Sequence, residues 1–213
     1  IDGVTDFPYQ PDAEPWRIRR LEDGAIADGA TVLASYDHAV KMGGRNVPYC
    51  PSEPAVYEIM FPAIENTIRY LEVETVHIGH DEPRIVNSDS RCLKREMTGG
   101  ELLAEDITKL NDFAHSIDEN VTLMMWADAL NPYHNGTWFS DENEEQLNLV
   151  PKDVVQNVWF YGATQPLTRG RDSFKHFQRY GFTFTGSPWD DTTCCRHWGI
   201  VADEARRNGM DCP

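Results

Sequence analysis

The chain has 213 residues, and its 19 Lys and Arg against 35 Asp and Glu give a formal net charge of -16 at pH 7. This acidic balance argues against nucleic acid as a partner, because phosphate binding depends on Lys and Arg. It also disfavours an anionic membrane surface, and no apolar run approaches the roughly 20 residues needed to span a bilayer. The composition favours a neutral substrate, and it leaves oligomeric state and cellular location open.

Five cysteines are spread along the sequence: Cys50, Cys92, Cys194, Cys195 and Cys212. Because no two of them have the C-x-x-C spacing, a zinc ribbon or a dithiol redox motif is not expected. The spacing favours scattered buried thiols, and we expect neither a bound metal nor a cofactor. Asn120-Val-Thr and Asn135-Gly-Thr match the triplet for N-glycosylation. A pattern of only three residues often occurs by chance.

The first predicted elements are a strand over residues 30–36 and a long helix. Ser52 is a candidate N-cap for this helix, which runs to about Leu71 with Pro54 in its first turn. Its apolar residues recur at helical spacing. Pro62 lies inside the pattern and predicts a kink or a break.

The rest of the chain continues to alternate between strands and helices. A β-branched run predicts a strand over 73–79, and Thr98 with Glu101 forms a capping box that opens the next helix. The later predictions are a strand over 121–126, a polar loop with at most one short helix over 131–148, a strand over 154–160, a helix that ends at Tyr180 with Gly181 as its C-cap, a strand over 182–185 and a last helix over 196–207.

This alternation predicts an α/β fold, in which βα units build a parallel sheet with outer helices. Five strands are counted, whereas a closed (β/α)8 TIM-type barrel typically takes about 250 residues. We therefore expect a partial barrel of this type, formed by a single domain over residues 1–213. The chain begins at Ile1 rather than Met, which we interpret as a fragment or a processed form.

The most informative segment lies where the strand over 73–79 ends. Its sequence is His77-Ile-Gly-His-Asp81-Glu82, with two adjacent carboxylates directly after an apolar run. Carboxylates at that place are costly to desolvate unless they are used, and catalytic side chains in α/β barrels lie at the carboxyl ends of strands. The alternative is an acidic loop that caps the next helix.

Aromatic and acidic residues also follow the next three predicted strands. They are Trp126 and Asp128, then Trp159 and Tyr161, then Trp189 and Asp191. Aromatic faces stack on the C–H faces of sugar rings, and carboxylate oxygens accept hydrogen bonds from sugar hydroxyls. The repetition at three successive exits favours a carbohydrate site over three unrelated core residues.

The segment 77–82 resembles the His-x-Gly-Gly-Asp-Glu motif of family 20 glycoside hydrolases, the β-N-acetylhexosaminidases. Cys50-Pro-Ser-Glu-Pro and the helix that follows are similar to the stretch that leads into that motif. The three later exits fall in the order expected of barrel strands five, six and seven. The resemblance covers about residues 45–191, and it implies barrel strands three to seven, without the first and last strands.

The resemblance implies an enzyme that cleaves terminal β-linked N-acetylhexosamine by substrate-assisted retaining hydrolysis. Glu82 would be the general acid and base, and Asp81 would orient the 2-acetamido group whose oxygen attacks C1. The implied substrate-binding residues are His77, Trp126, Asp128, Trp159, Tyr161, Trp189 and Asp191. Two positions depart from the family pattern: His80 replaces the second Gly, and Trp189 stands where the family has Tyr.

Three alternatives remain open at the level of sequence. The first is a carbohydrate-binding relative that has lost hydrolysis and keeps its stacking tryptophans. The second is a metal-dependent barrel hydrolase that uses His77, His80 and Asp81, because His-x-x-His-Asp can ligate zinc. The third is a structural barrel fragment without a site.

Overall fold

The computed structural model describes residues 24–32, 48–83, 86–136 and 143–213, with the backbone alone over 143–145. The chain divides into two compact units, residues 1–47 and residues 48–213. Residues 33–36 of the predicted first strand lie outside the described residues. The helices and strands given below all belong to the second unit.

One all-parallel sheet of four strands forms the centre of the second unit, in the order β1-β2-β3-β4. The strands are β1 (Thr75–His77), β2 (Thr122–Trp126), β3 (Val155–Trp159) and β4 (Phe184–Ser187). The chain is therefore an α/β protein with a parallel sheet, as the alternation predicted. Because each strand pairs with its neighbour in parallel, all four carboxyl ends lie along the same edge.

The helices of the second unit are α1 (Pro54–Leu71), α2 (Ser90–Leu93), α3 (Gly99–Ile117), α4 (Asn143–Leu149), α5 (Arg171–Arg179) and α6 (Thr192–Arg207). A 3-10 turn over Asp128–Leu130 follows β2, and a π-helical turn over Pro166–Gly170 leads into α5. Within the described ranges, none of the helices is both long enough and apolar enough to span a membrane.

Helix α1 forms as one continuous element. Pro62 was predicted to cause a kink or a break, and the break is wrong, because the helix passes through this exposed residue and stays attached to the core through Ile64 and Ile68. The predicted cap is displaced by one residue. Glu53 is the N-cap, and its Oε1 accepts from the backbone N–H of Ala55 at 3.2 Å.

The predicted capping box is confirmed at the start of α3. The Thr98 hydroxyl accepts from the Glu101 N–H at 3.1 Å, and the Glu101 carboxylate accepts from the Thr98 N–H at 2.8 Å. Gly181 has a φ of 77° after α5, as expected of a C-terminal glycine. Helix α6 starts before the predicted residue 196, because the Asp191 carboxylate caps it through the Cys194 N–H at 2.6 Å.

Strand β4 begins two residues later than predicted. The N–H of Phe182 donates to the Phe177 carbonyl at 3.1 Å, so Phe182 belongs to the turn that ends α5. Pairing with β3 starts at Phe184, opposite Gln156. The prediction for 182–185 was misplaced because the β-forming side chains of this segment begin before its backbone reaches the sheet.

The hydrophobic core fills the space between the sheet and its helices. Its largest fully buried side chains are Leu102, Ile107, Leu110, Leu123, Met125, Leu130, Leu147, Phe160, Phe174, Phe177, Phe182 and Phe184. These residues come from α3, α4, α5, the sheet and the connecting segments. The apolar faces therefore hold the sheet rigidly enough to fix where its strands end.

The contact between Gly186 of β4 and Trp198 of α6 gives a stability prediction. A Cβ at position 186 would lie 2.2 Å from Cε3 of Trp198, and the indole is held by its hydrogen bond to the Phe160 carbonyl at 3.2 Å. Gly186→Ala should lower the free energy of unfolding by about 1–3 kcal/mol in urea denaturation. Gly199→Ala, at an exposed position of the same helix with open space around it, should be neutral or stabilising by up to about 1 kcal/mol. Equal destabilisation by both variants would contradict the proposed clash.

Candidate active site

The carboxyl edge of the sheet brings together the four predicted strand exits. His77 ends β1, Trp126 ends β2 and Trp159 ends β3. Although β1 is short, the N–H of Trp126 donates to the carbonyl of Gly79 at 2.9 Å, so pairing with β2 continues to the turn before the carboxylates. The candidate site therefore lies where side chains of a parallel sheet converge.

Asp128 connects the turn that carries the carboxylate pair with the aromatic side chains. Its side chain is buried, with 2% of its surface exposed. Oδ2 accepts from the backbone N–H of Glu82 at 3.0 Å and from Nδ2 of Asn135 at 2.9 Å, and Oδ1 accepts from the indole Nε1–H of Trp159 at 3.1 Å. These three bonds fix the position of Glu82 relative to Trp159. Direct sugar binding by Asp128 stays a prediction.

His77 and Trp126 form one aromatic pair at this edge. Their ring centroids are 4.6 Å apart. The Nδ1 of His77 accepts from the N–H of Gly79 at 3.1 Å, and its Nε2 lies 3.5 Å from Nδ2 of Asn157. Burial lowers the pKa of His77, the charge of Asp81 opposes this effect, and His80 adds to it. The ring is thus held beside the start of the carboxylate turn.

Trp159, Tyr161 and Trp189 form a continuous aromatic row. Trp159 stacks on Tyr161 with centroids 4.8 Å apart at 26°, and Tyr161 meets Trp189 edge-on at 4.8 Å and 86°. Trp189 is 64% exposed, so its face is open to solvent at the end of the row. Asp191 follows as the cap of α6, and its binding of sugar hydroxyls remains a prediction.

The hydroxyl of Tyr161 lies within electrostatic reach of the acidic residues. Burial raises the pKa of Tyr161, and the charges of Asp81, Asp128 and Glu82 raise it further. A neutral phenol near these carboxylates is a hydrogen-bond donor. Tyr161 is therefore a candidate donor at this edge, and its contact with a substrate stays a prediction.

The turn that carries the carboxylates has an unusual backbone. Gly79, His80 and Glu82 have φ values of 79°, 71° and 47°, all in the left-handed region. Two of these three residues carry a Cβ, so the conformation is strained and needs support from contacts elsewhere. Asp81 is exposed and Glu82 is half-buried. The departure at His80 therefore falls on a backbone conformation that glycine adopts without strain.

His80 anchors this turn to a buried carboxylate on α3. Its Nδ1 lies 3.1 Å from the Ile78 carbonyl and its Nε2 lies 2.8 Å from Oδ2 of Asp106. The side chains of His80 and Asp106 are only 6% and 3% exposed. Both ring nitrogens therefore lie within hydrogen-bond distance of an oxygen. The His80 side chain is thus directed at α3, and its contact with Asp106 anchors the turn.

Two tyrosines complete the surroundings of Asp106. The Tyr49 hydroxyl donates to Oδ2 at 2.5 Å, and the Tyr57 hydroxyl donates to Oδ1 at 2.7 Å. Burial alone would raise the pKa of Asp106, but the hydrogen bond and charge of His80 and the bonds from both tyrosines outweigh it and hold the pKa below its usual value. We name this group of Tyr49, Tyr57, His80 and Asp106 the anchor cluster.

Sequence reasoning missed the anchor cluster, as well as two residues next to Asp128. Asp106 had a detectable signal, because it lies between Leu103, Ile107 and Leu110 on the apolar face of α3. Asn135 drew attention only as part of a glycosylation triplet, whereas its amide binds Asp128. His134, whose ring centroid lies 4.0 Å from that of Trp159, had no signal of its own.

The half-buried ring of His134 predicts a pH dependence of stability. Burial lowers its pKa below 6.5, the charges of Asp128 and Glu82 oppose this, and Arg169 adds to it. The unfolded chain therefore binds the proton more readily, so stability is fully present above about pH 6.5 and falls as pH drops towards the lowered pKa. The thermal midpoint should fall between about pH 7 and about pH 5, and His134→Gln should reduce that fall. Identical slopes for the variant and the wild type would contradict this assignment.

The described residues offer no support for a metal-dependent hydrolase. Among them, no group of three or more His, Cys, Asp or Glu side chains is placed to bind a metal ion. His80 is directed at Asp106 and Ile78, whereas His77 lies against Gly79 and Trp126. The two histidines therefore do not converge.

An open pocket of about 390 Å³ lies away from the predicted site residues. It is lined by Pro51, Ser52, Pro54, Tyr57, Arg95, Glu105 and Lys109. Its two cations both pair with the single carboxylate of Glu105, at 2.5 Å in the case of Lys109. Both cations are therefore held by this carboxylate, and none of the predicted site residues lines the pocket.

No protein-family model and no curated protein matches this chain.

Proposed function

We propose that this chain is the catalytic part of a glycoside hydrolase that cleaves terminal β-linked N-acetylhexosamine. The proposal takes the resemblance of residues 77–82 to family 20 as its starting point. The observation that carries it is the double connection of Asp128, which binds the Glu82 N–H and the Trp159 indole at 3.0 and 3.1 Å. One buried carboxylate thereby joins the acidic turn to the aromatic row.

The residues at the sheet edge suit substrate-assisted retaining hydrolysis. The substrate's acetamido oxygen attacks C1 while Glu82 donates its proton to the departing glycosidic oxygen. Asp81 accepts a hydrogen bond from the acetamido N–H and stabilises the positive charge of the oxazolinium ring. Glu82 then takes a proton from water, whose oxygen attacks C1 and reopens the ring.

The aromatic row would bind the sugar and its acetamido group. Trp159, Tyr161 and Trp189 offer a continuous apolar wall with ring contacts of 4.8 Å. The Tyr161 hydroxyl, which lies near the charges of Asp81 and Glu82, would donate to the acetamido carbonyl. Trp126 and His77 would bind from the side of β1 and β2.

The parallel sheet is consistent with part of a (β/α)8 barrel. Successive strands β1 to β4 pair in sequence order, with helices between them. We propose that they correspond to barrel strands four to seven, since the motif of residues 77–82 follows β1. Such a barrel would have its active site at the carboxyl edge, where the candidate residues lie.

The first experiment compares hydrolysis of aryl 2-acetamido-2-deoxy-β-glycosides with that of the plain aryl β-glycosides. Each assay is run in EDTA and then with added zinc. Release that depends on the acetamido group and is indifferent to EDTA is the expected result. Activity that is lost in EDTA and restored by zinc would overturn the proposal in favour of metal chemistry.

A carbohydrate-binding role without hydrolysis is the second candidate. The observation that favours it is the 64% exposure of Trp189 at the end of the aromatic row, because an open indole face can bind sugar without any acid catalysis. Titration with N-acetylglucosamine, followed by tryptophan fluorescence, separates the two functions. Binding without release on either aryl substrate would favour this second candidate.

A further inference from the structure

Two cysteine side chains from distant parts of the chain meet beside the start of α1. The Sγ atoms of Cys50 and Cys92 are 3.4 Å apart, although 42 positions separate the residues in sequence. Cys50 lies just before α1 and is half-buried, whereas Cys92 lies in α2 and is 1% exposed. All five cysteines of the structure are thiols.

We propose that Cys50 and Cys92 form an intramolecular disulfide when the protein meets a disulfide oxidant such as glutathione disulfide. A disulfide bond is about 2.05 Å long, so the two sulfur atoms have only a short distance to close. Because the two segments already lie side by side, small rotations of the two cysteine side chains bring their sulfur atoms together. This site stands apart from the proposed glycosidase chemistry.

Contacts on both sides of the pair keep the two segments together. Arg91, the residue before Cys92, forms an ion pair with Glu53. The guanidinium of Arg95 donates to the hydroxyl of Ser52 at 3.3 Å. The segment that carries Cys50 also has a local hydrogen bond, in which the Glu53 N–H donates to the Cys50 carbonyl at 3.0 Å. The thiols therefore face each other at high effective concentration.

The remaining cysteines have different surroundings. The thiol of Cys194 is buried and donates to the Phe160 carbonyl at 3.1 Å. Cys195 is exposed, and its thiol donates to the Trp189 carbonyl at 3.4 Å. Cys212 is buried near Arg206, which donates to its backbone carbonyl at 3.1 Å. Only the Cys50–Cys92 pair has two sulfur atoms in contact among the described cysteines.

The disulfide forms by two successive thiol–disulfide exchange steps. The more accessible thiolate of Cys50 attacks one sulfur of glutathione disulfide, which forms a mixed disulfide and releases one glutathione thiolate. The thiolate of Cys92 then attacks the Cys50 sulfur, which closes the protein disulfide and releases the second glutathione. The two protein thiols are oxidised, the glutathione disulfide is reduced, and the two thiol protons end on the released glutathiones.

The rate of the first step should depend strongly on pH. Burial, followed by the hydrogen bond with Cys92, raises the pKa of the Cys50 thiol to about 11. Because the thiolate is the attacking species, little of it is present at neutral pH. Oxidation by glutathione disulfide should therefore accelerate as the buffer becomes more alkaline.

Closure of this bond would constrain the segment between the two cysteines, which contains α1, β1 and the carboxylate turn. Tyr49, the neighbour of Cys50, donates to Asp106 of the anchor cluster at 2.5 Å. A disulfide at position 50 would therefore also hold Tyr49 in place. The oxidised form should unfold at a higher temperature than the reduced form, by on the order of 10 °C.

The test incubates the folded chain in glutathione buffers of increasing oxidation, followed by alkylation of free thiols and peptide mass spectrometry. The expected product is a cross-linked peptide pair that joins Cys50 to Cys92, with a raised thermal midpoint. The exposed Cys195 should instead take up single glutathione. Cys195→Ser should keep the Cys50–Cys92 bond, whereas Cys50→Ser should lose it and leave Cys92 as a thiol.

Two results would overturn the proposal. One is alkylation of both Cys50 and Cys92 after prolonged incubation with glutathione disulfide in alkaline buffer. The other is a stable glutathione adduct on Cys50 while Cys92 stays reduced. A parallel incubation in concentrated urea serves as the control, because an unfolded chain should give mixed pairings rather than this one.

Discussion

Glu82→Gln should reduce the hydrolysis of aryl N-acetyl-β-glycosides by on the order of 10³-fold while sugar binding is retained. The amide has almost the same shape as the carboxyl group, but it neither delivers a proton to the glycosidic oxygen nor removes one from water. The backbone N–H of residue 82 still donates to Asp128 in the variant, so the turn should keep its position. The measurement pairs initial rates with titration by tryptophan fluorescence.

Glu74→Gln is the matched control for this variant. Glu74 is exposed and lies just before β1, outside the candidate site. Its replacement should leave both rate and binding unchanged. Full activity of Glu82→Gln would show that the acid has been assigned to the wrong residue.

Asp81→Asn separates substrate assistance from ordinary acid catalysis. If Asp81 orients the acetamido group, its replacement should slow the N-acetyl substrate more than the plain glycoside, because only the former carries an N–H to be held. The ratio of kcat/KM for the two substrates is the quantity to compare. An equal loss on both substrates would argue for a general electrostatic or structural effect of Asp81.

The positions of the strand exits were predictable because they depend on local pattern alone. Apolar, β-branched runs mark strands, and their regular alternation with helices requires parallel pairing. Parallel pairing in turn places Glu82, Trp126 and Trp159 on one edge, as the structure has them. The two aromatic residues after β3 and β4, Tyr161 and Trp189, follow by the same reasoning.

The anchor cluster could not be derived from local pattern, since its members are far apart in sequence. His80 and Asp106 are separated by 26 positions, and Tyr49 and Asp106 by 57. No periodicity records that pairing, which depends on how α3 packs beside the turn. The one local sign was an acidic residue on the apolar face of α3.

Two helices differ from the prediction for different reasons. Asp191 caps α6 through the Cys194 N–H. From the sequence, Asp191 was predicted to bind the substrate and the helix was predicted to start at residue 196. Pro62 weakens a helix locally, but the burial of Ile64 and Ile68 against the core keeps α1 intact. Packing decided the case of α1, and packing is not visible in a window of a few residues. The Asp191 cap, by contrast, is a contact between residues three positions apart, which a short window does contain.

Asp106→Ala should cost about 3–5 kcal/mol of the free energy of unfolding, because it removes a buried charge that three donors share. His80, Tyr49 and Tyr57 would each lose a hydrogen bond of 2.5–2.8 Å. The folded-state pKa of Asp106 lies below 3.8, so its contribution is fully present above that pH and is lost only as pH falls through the lowered pKa. Urea denaturation at neutral pH therefore measures the whole effect.

Two further variants make this prediction specific to the anchor cluster. Asp112→Ala, at an exposed position of the same helix, should change stability by less than about 0.5 kcal/mol. Tyr57→Phe removes a single donor and leaves Asp106 bound to His80 and Tyr49, so its cost should be about 1.5–3 kcal/mol. A loss below about 1 kcal/mol for Asp106→Ala would mean that the cluster does not stabilise the carboxylate turn. The strained φ values of His80 and Glu82 would then need support from another source.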